Sequence, residues 1–223
     1  MCGLYGFVRG GGPPQADVLR HVAGLAGTRG PHAHGQAARG ARHVAAGPLD
    51  AARLSVPQGG SLIGHARMAT AGRHDDLSCA QPLQAGPLFL AHNGTVPGHR
   101  DHARRAGLTL QTDSDSEVLA LLLAREATLI GAAEVLEQLT PGLPLALLAL
   151  YPDGRVLAAR RGHPLYALRA AEGTYLCSLP FGAAQPLPDA SLVEFTPGGA
   201  EAVAALPSRA SLRGNRGGPA WTP

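Results

Sequence analysis

Met1-Cys2-Gly3-Leu4-Tyr5-Gly6-Phe7-Val8 opens the chain. Large apolar residues alternate here with small ones, which predicts a short strand from Cys2 to Val8, stopped by Gly10, Gly11 and Gly12. The thiol stands directly after the initiator methionine. Small residues at that position favour removal of the methionine, which would leave a thiol and a free α-amine on one residue. Such an amine ordinarily titrates at about 7.7–8.0 and can take a proton near neutral pH. A thiol with a free pKa of about 8.5 is a capable nucleophile. A cysteine here also suits an ordinary strand, so the residue becomes informative only through its partners.

Three segments supply candidates. His92-Asn93-Gly94 follows the apolar run Leu88-Phe89-Leu90-Ala91. Asn-Gly after a strand is a strong hairpin signal. The same pair also places a side-chain amide beside an accessible backbone N–H, as an oxyanion hole requires; one such donor is worth on the order of 3–4 kcal/mol of barrier. In Gly64-His65-Ala66-Arg67-Met68-Ala69-Thr70-Ala71-Gly72, Arg67 stands between a short strand and a small-residue turn. Its guanidinium could fork a substrate carboxylate there, although a surface ion pair is the plainer reading. In Thr112-Asp113-Ser114-Asp115-Ser116-Glu117, Ser114 and Glu117 have the form of a capping box. Asp115 is alternatively an acceptor for an ammonium group. Arg67 and Asp115 together would clamp an amino acid by its carboxylate and amine, leaving its side-chain amide to reach Cys2.

The remaining sequence describes the scaffold. The 223 residues are 45% apolar, enough for one large core, and the net charge of +3 is weak support for a polyanionic partner. Without a basic helix or interleaved aromatics, nucleic acid is not expected as a partner. Cys2, Cys79 and Cys177 make no even disulfide framework and lack zinc-site spacing, and His32 and His34 have no partnering cluster, so no metal is expected. No positive start precedes a long apolar run, and Leu143 to Tyr151 is too short to span a bilayer and is interrupted by Pro144. A soluble cytoplasmic protein without a membrane segment is expected.

Helices are predicted from Gln15 to Ala26, Val118 to Ala127 and Ile130 to Leu139, with a turn-rich stretch from Gly27 to Gly40. Short β-like pieces lie at Leu62 to His65 and Leu88 to Ala91. Later strands are predicted at Leu145 to Tyr151, Arg155 to Arg160, Leu165 to Arg169, Thr174 to Ser178 and Leu192 to Phe195, with Pro152-Asp153-Gly154 as a hairpin turn. Strands, then helices, then strands argue for antiparallel sheets with helices packed outside. One domain over 1–207 and a flexible tail over 208–223 are expected.

In this order, the segments resemble the N-terminal glutaminase domain of class II glutamine amidotransferases, members of the N-terminal-nucleophile hydrolase superfamily. The opening Met-Cys-Gly-Leu-Tyr-Gly-Phe, the turn Thr28-Arg29-Gly30 through Gly35, and Gly64-His65 through Arg67, Thr70 and Gly72 are similar to that family. So are Ala91-His92-Asn93-Gly94, Ser114-Asp115-Ser116-Glu117 and Arg161-Gly162-His163-Pro164-Leu165. Thr70-Ala71-Gly72, Ala80-Gln81-Pro82 and the Ser-Asp-Ser-Glu run look most like its amidophosphoribosyltransferase branch. The resemblance covers about residues 1–200 and implies an α+β fold of four layers, α-β-β-α, with two stacked, mainly antiparallel sheets. It implies that Cys2 attacks glutamine to give a thioester and that Asn93 and Gly94 hold the oxyanion. Arg67, Thr70 and Asp115 would bind glutamine, and Arg29 would order the active-site turn. No cofactor is implied. The relatives continue into a synthase domain, so the expected role is to supply ammonia to a separate synthase subunit. His32 and His34 stand where the family has Asp and a small residue, and Met68 replaces an aromatic. These departures motivate two alternatives: an amidohydrolase acting on another γ-glutamyl or amide substrate, and a non-catalytic glutamine-sensing module.

Overall fold

The computed structural model of the chain describes residues 1–38, 40–68 and 76–206. Strand β1 (Gly3–Arg9) lies inside a seven-stranded sheet, between β4 (Leu62–Arg67) and β10 (Gly173–Cys177). Beyond β4 come β2 (Ala33–Ala38) and β3 (Ala41–Ala46); beyond β10 come β9 (Tyr166–Arg169) and β11 (Gln185–Pro186). A six-stranded sheet stacks on the first. Its order is β13 (Glu201–Ala205), β12 (Ser191–Phe195), β8 (Val156–Arg161), β7 (Leu145–Leu150), β6 (Leu88–Gly94) and β5 (Leu83–Ala85). The ladders within both sheets are antiparallel. Among the described residues no helix is long and apolar enough to cross a membrane.

Strand periodicity sorts the side chains into three apolar layers. Leu4, Ile63, Phe89, Ala91, Leu148 and Leu176 meet between the sheets. Tyr5, Phe7 and Leu62 point the other way, onto Leu19, Val22 and Ala26 of helix α1 (Ala16–Gly27). Leu88, Leu90, Leu145 and Leu147 face Val118 and Leu119 of α3 (Ser116–Leu123) and Ala132 and Leu136 of α4 (Leu129–Leu139). β7 reads Leu-Ala-Leu-Leu-Ala-Leu without alternation because both its faces are covered. This is the four-layer α-β-β-α architecture, one helix outside the first sheet and the others outside the second.

Several elements differ from the sequence-based expectation. The stretch 27–40, expected to be turns, contains β2, and its partner β3 follows. The β2 residues Ala-His-Gly-Gln-Ala-Ala include no β-branched residue and no Phe, Tyr or Trp. Their strand conformation comes from pairing with β4, where Ala33 faces Arg67 and Ala38 faces Leu62. A short helix α2 (His99–Arg105) and the edge strand β13 were likewise not anticipated. Asn93-Gly94 makes no hairpin. Both residues stay in β6, opposite Ala146 and Leu145 of β7, with the three helices α2 to α4 between the strands. The expected 208–223 tail lies outside the described residues.

Candidate active site

Cys2 enters β1 where β4 finishes at Arg67 and β6 finishes at Asn93-Gly94, one strand end from each sheet. A cleft of about 590 Å³ opens at this end, lined by Cys2, Arg67, Met68, Asn93, Gly94 and Asp115 among others. A smaller cavity of about 210 Å³ is bordered by Arg9, Tyr151 and Asp153 and includes none of Cys2, Arg67, Asn93, Gly94 and Asp115. The first is the one that brings the sequence-predicted Cys2, Arg67, Asn93, Gly94 and Asp115 together.

Cys2 and Asn93 hold one another in both directions. The Cys2 N–H donates to Asn93 Oδ1 at 3.0 Å, and Asn93 Nδ2 donates to the Cys2 carbonyl at 2.7 Å. The Cys2 Sγ accepts from the Met68 N–H at 3.3 Å and lies 3.6 Å from the Met68 carbonyl. Burial pushes the thiol pKa up; the Met68 N–H, the chain's amino terminus, Arg67 and Arg29 pull it back without cancelling the rise. The thiol is thus held protonated until a base acts on it.

Arg67 is buried, and its Nη1 donates to the Asp76 carbonyl at 3.1 Å. Asp115 stands at the N-cap of α3, its Oδ2 accepting from the Val96 N–H at 2.7 Å. Arg29 lies just after α1, and its Nη1 donates to the Ser178 carbonyl at 3.0 Å. A Cβ on Gly30 would fall 2.2 Å from the Ala66 carbonyl oxygen, so the Arg29-Gly30 turn rests directly on the end of β4. Thr70 lies outside the described residues. His34 Nδ1 pairs with the Gly47 carbonyl, 3.0 Å away, and neither His32 nor His34 lines the cleft.

The cleft also holds residues that sequence reasoning did not assign an individual role. His65, Cys79, Gln81, His92, Ser116 and His163 all line it. His65 and His92 are deeply buried, and burial holds their pKa values down to about 3 and about 4. His163 is half-buried, and burial followed by the nearby Arg29 charge lowers its pKa. Gln81 and Ser116 belong to segments that carry the family likeness, but their polar atoms point inward and have no periodicity to announce them.

No family model matches the chain. It is 33% identical over 184 residues to the glutamine–fructose-6-phosphate aminotransferase (isomerizing) of Caulobacter vibrioides, covering 74% of this chain and 29% of that protein. It is 34% identical over 135 residues to the amidophosphoribosyltransferase of Archaeoglobus fulgidus, covering 54% of this chain and 29% of the relative. The solved glutamine phosphoribosylpyrophosphate amidotransferase from B. subtilis superposes with a TM-score of 0.70 at 21% identity, over 92% of this chain and 49% of that one. The chain thus spans less than a third of the length of these curated relatives.

Proposed function

The chain belongs to the class II glutamine amidotransferase domains, and from that premise we propose that it hydrolyses the glutamine side-chain amide to glutamate and ammonia through a thioester on Cys2. The observation that carries this reading is the two-way clasp between Cys2 and Asn93, 91 residues apart in sequence. It sets a thiol beside an amide donor at the end of two stacked sheets.

In this reading Met1 is removed first. Met1 lines the cleft, so its loss also clears room for substrate. The freed Cys2 amine keeps the N–H that donates to Asn93 and gains a lone pair that takes the thiol proton. The sulfur then attacks the amide carbon. The second N–H of Asn93 Nδ2 and the Gly94 N–H hold the oxyanion. Collapse of the tetrahedral intermediate breaks the C–N bond, and the departing nitrogen takes the proton and leaves as ammonia. Water attacks the thioester, glutamate departs, and the thiol is restored. Arg67 binds the substrate carboxylate. Asp115, anchored by the Val96 N–H, binds the ammonium group, Thr70 completes the set, and Arg29 orders the turn. The ammonia goes to a separate synthase subunit. The domain extends over 1–207, with 208–223 as a tail.

Intact mass spectrometry after incubation with a glutamine-analogue electrophile tests the first steps. The expected spectrum lacks Met1 and carries a single adduct on Cys2. Glutamate release from glutamine is expected in the wild type and absent in Cys2→Ala. Turnover that survives Cys2→Ala would sink the reading.

A further inference from the structure

Gln81, His92 and Ser116 come from three separate segments, and none is among the residues assigned to touch glutamine. All three are buried. The His92 N–H donates to Gln81 Oε1 at 2.5 Å, and Gln81 Nε2 donates to Ser116 Oγ at 3.3 Å. Ser116 Oγ lies 2.9 Å from His92 Nδ1, and it donates to Asp115 Oδ1 at 3.3 Å. A hydroxyl has one proton and two acceptor lone pairs; with its proton on Asp115 Oδ1, Ser116 accepts from Gln81 Nε2 and from an Nδ1-protonated His92. With little water to compete, such a network holds its members rigidly.

The ring of His92 is coupled to the next residues by shape. A Cβ on Gly94 would fall 2.6 Å from His92 Nε2, so the imidazole lies directly against Gly94. Side chains alternate along β6, so Asn93 points the opposite way, onto Cys2. The His92 ring therefore bears on Gly94 directly and on Asn93 through the β6 backbone between them.

We propose that Ser116, acting with Gln81, is a positioning residue: it locks the His92 ring, and the ring sets Asn93-Gly94 against Cys2. This inference rests on the glutaminase reading above. Asp115 is also held by the Val96 N–H at 2.7 Å, a bond that does not involve Ser116, so removal of Ser116 is expected to affect substrate binding less than catalysis. A misplacement of about 1 Å in such a site costs on the order of 100-fold in rate.

The test measures kcat and KM for glutamine in the wild type, Ser116→Ala, Ser116→Thr, Gln81→Met and the Ser116→Ala/Gln81→Met double variant. Thermal unfolding is followed alongside. Ser116→Ala is expected to lower kcat by roughly 10- to 100-fold with KM changed far less. Ser116→Thr, which restores the hydroxyl, should recover most of the loss. The double variant should be little worse than the poorer single one, because both remove the same lock. A Ser116→Ala kcat close to wild type would overturn the proposal, as would a rise in KM that accounts for the whole loss or a Thr variant that recovers nothing. If Ser116→Ala does not fold, Gln81→Met carries the same expectation with its unbranched apolar chain. Failure of both to fold would make the network purely structural and overturn the proposal. A wild type without turnover would sink the glutaminase reading itself, and this inference with it.

Discussion

His65 carries two ring nitrogens that are buried and have no hydrogen-bond partner among the described residues. Burial holds its pKa down to about 3, with the charges of His92 and Arg67 acting in the same direction. His92 is held down to about 4 by burial, partly opposed by the Asp115 carboxylate. In the unfolded chain each imidazole titrates at about 6.5, as a free histidine side chain does. Between those values the unfolded chain binds protons that the folded chain refuses. Their contribution to stability is complete above about pH 6.5 and is lost as pH falls toward 4 and then 3. Each imidazole removes about 1.4 kcal/mol per pH unit inside that window. Urea denaturation at about pH 7.5 and pH 5 is expected to show a lower midpoint at the acid value, and His65→Leu should reduce the difference. Equal pH sensitivity in the variant would refute the assignment. Sequence alone offered no hint here, because a histidine in Gly-His-Ala-Arg looks the same buried or exposed.

At the scale of the element, α3 shows how a local signal can be right in kind and wrong in partner. The Ser114 to Glu117 spacing predicted a capping box. In the structure the N-cap is Asp115, which makes no side-chain cap hydrogen bond. Glu117 does reach back, but to the N–H groups of Gln111 and Thr112 at 2.7 Å each and to the Thr112 hydroxyl at 2.8 Å. It thereby folds the loop that carries Asp115 over the start of the helix. Hydrogen bonds to a charged group contribute roughly 1.5–3 kcal/mol each, and a buried carboxylate replaced by an amide keeps only some of them. Glu117→Gln is expected to lower stability by about 2–3 kcal/mol in chemical denaturation. A change under about 0.5 kcal/mol would show that the carboxylate does not hold the loop.

For the whole molecule, the separation of the two sheets decides whether Cys2 and Asn93 meet at all. Leu148 is fully buried in the layer between them, with Phe89, Ala91 and Leu176 in the same layer. Truncating such a side chain typically costs about 2–5 kcal/mol because the surroundings only partly collapse, and Leu148→Ala is expected to fall in that range. In a domain of this size, each kcal/mol lowers Tm by roughly 2–4 °C. A scanning calorimetry shift well below that would mean that the sheets close over the gap.

The motif residues, the apolar stripes of α1 and α4, and the continuous run of β7 were legible in the sequence. Each is written in side chains that repeat with a local period or stand next to one another. Cys2, Arg67, Asn93 and Asp115 could be proposed from their types and order. Their meeting was an expectation drawn from order and family resemblance, and its geometry was not legible, because the ends of β1, β4 and β6 converge only when the sheets stack. Pairing with β7 turned the Asn93-Gly94 hairpin signal into the end of a strand, and pairing with β4 made a strand of the alanines in β2. Packing of α3 on β5 and β6 brought Gln81, His92 and Ser116 into one buried network. Burial and long-range hydrogen bonding depend on what lies across the core, and no short stretch of sequence carries that information.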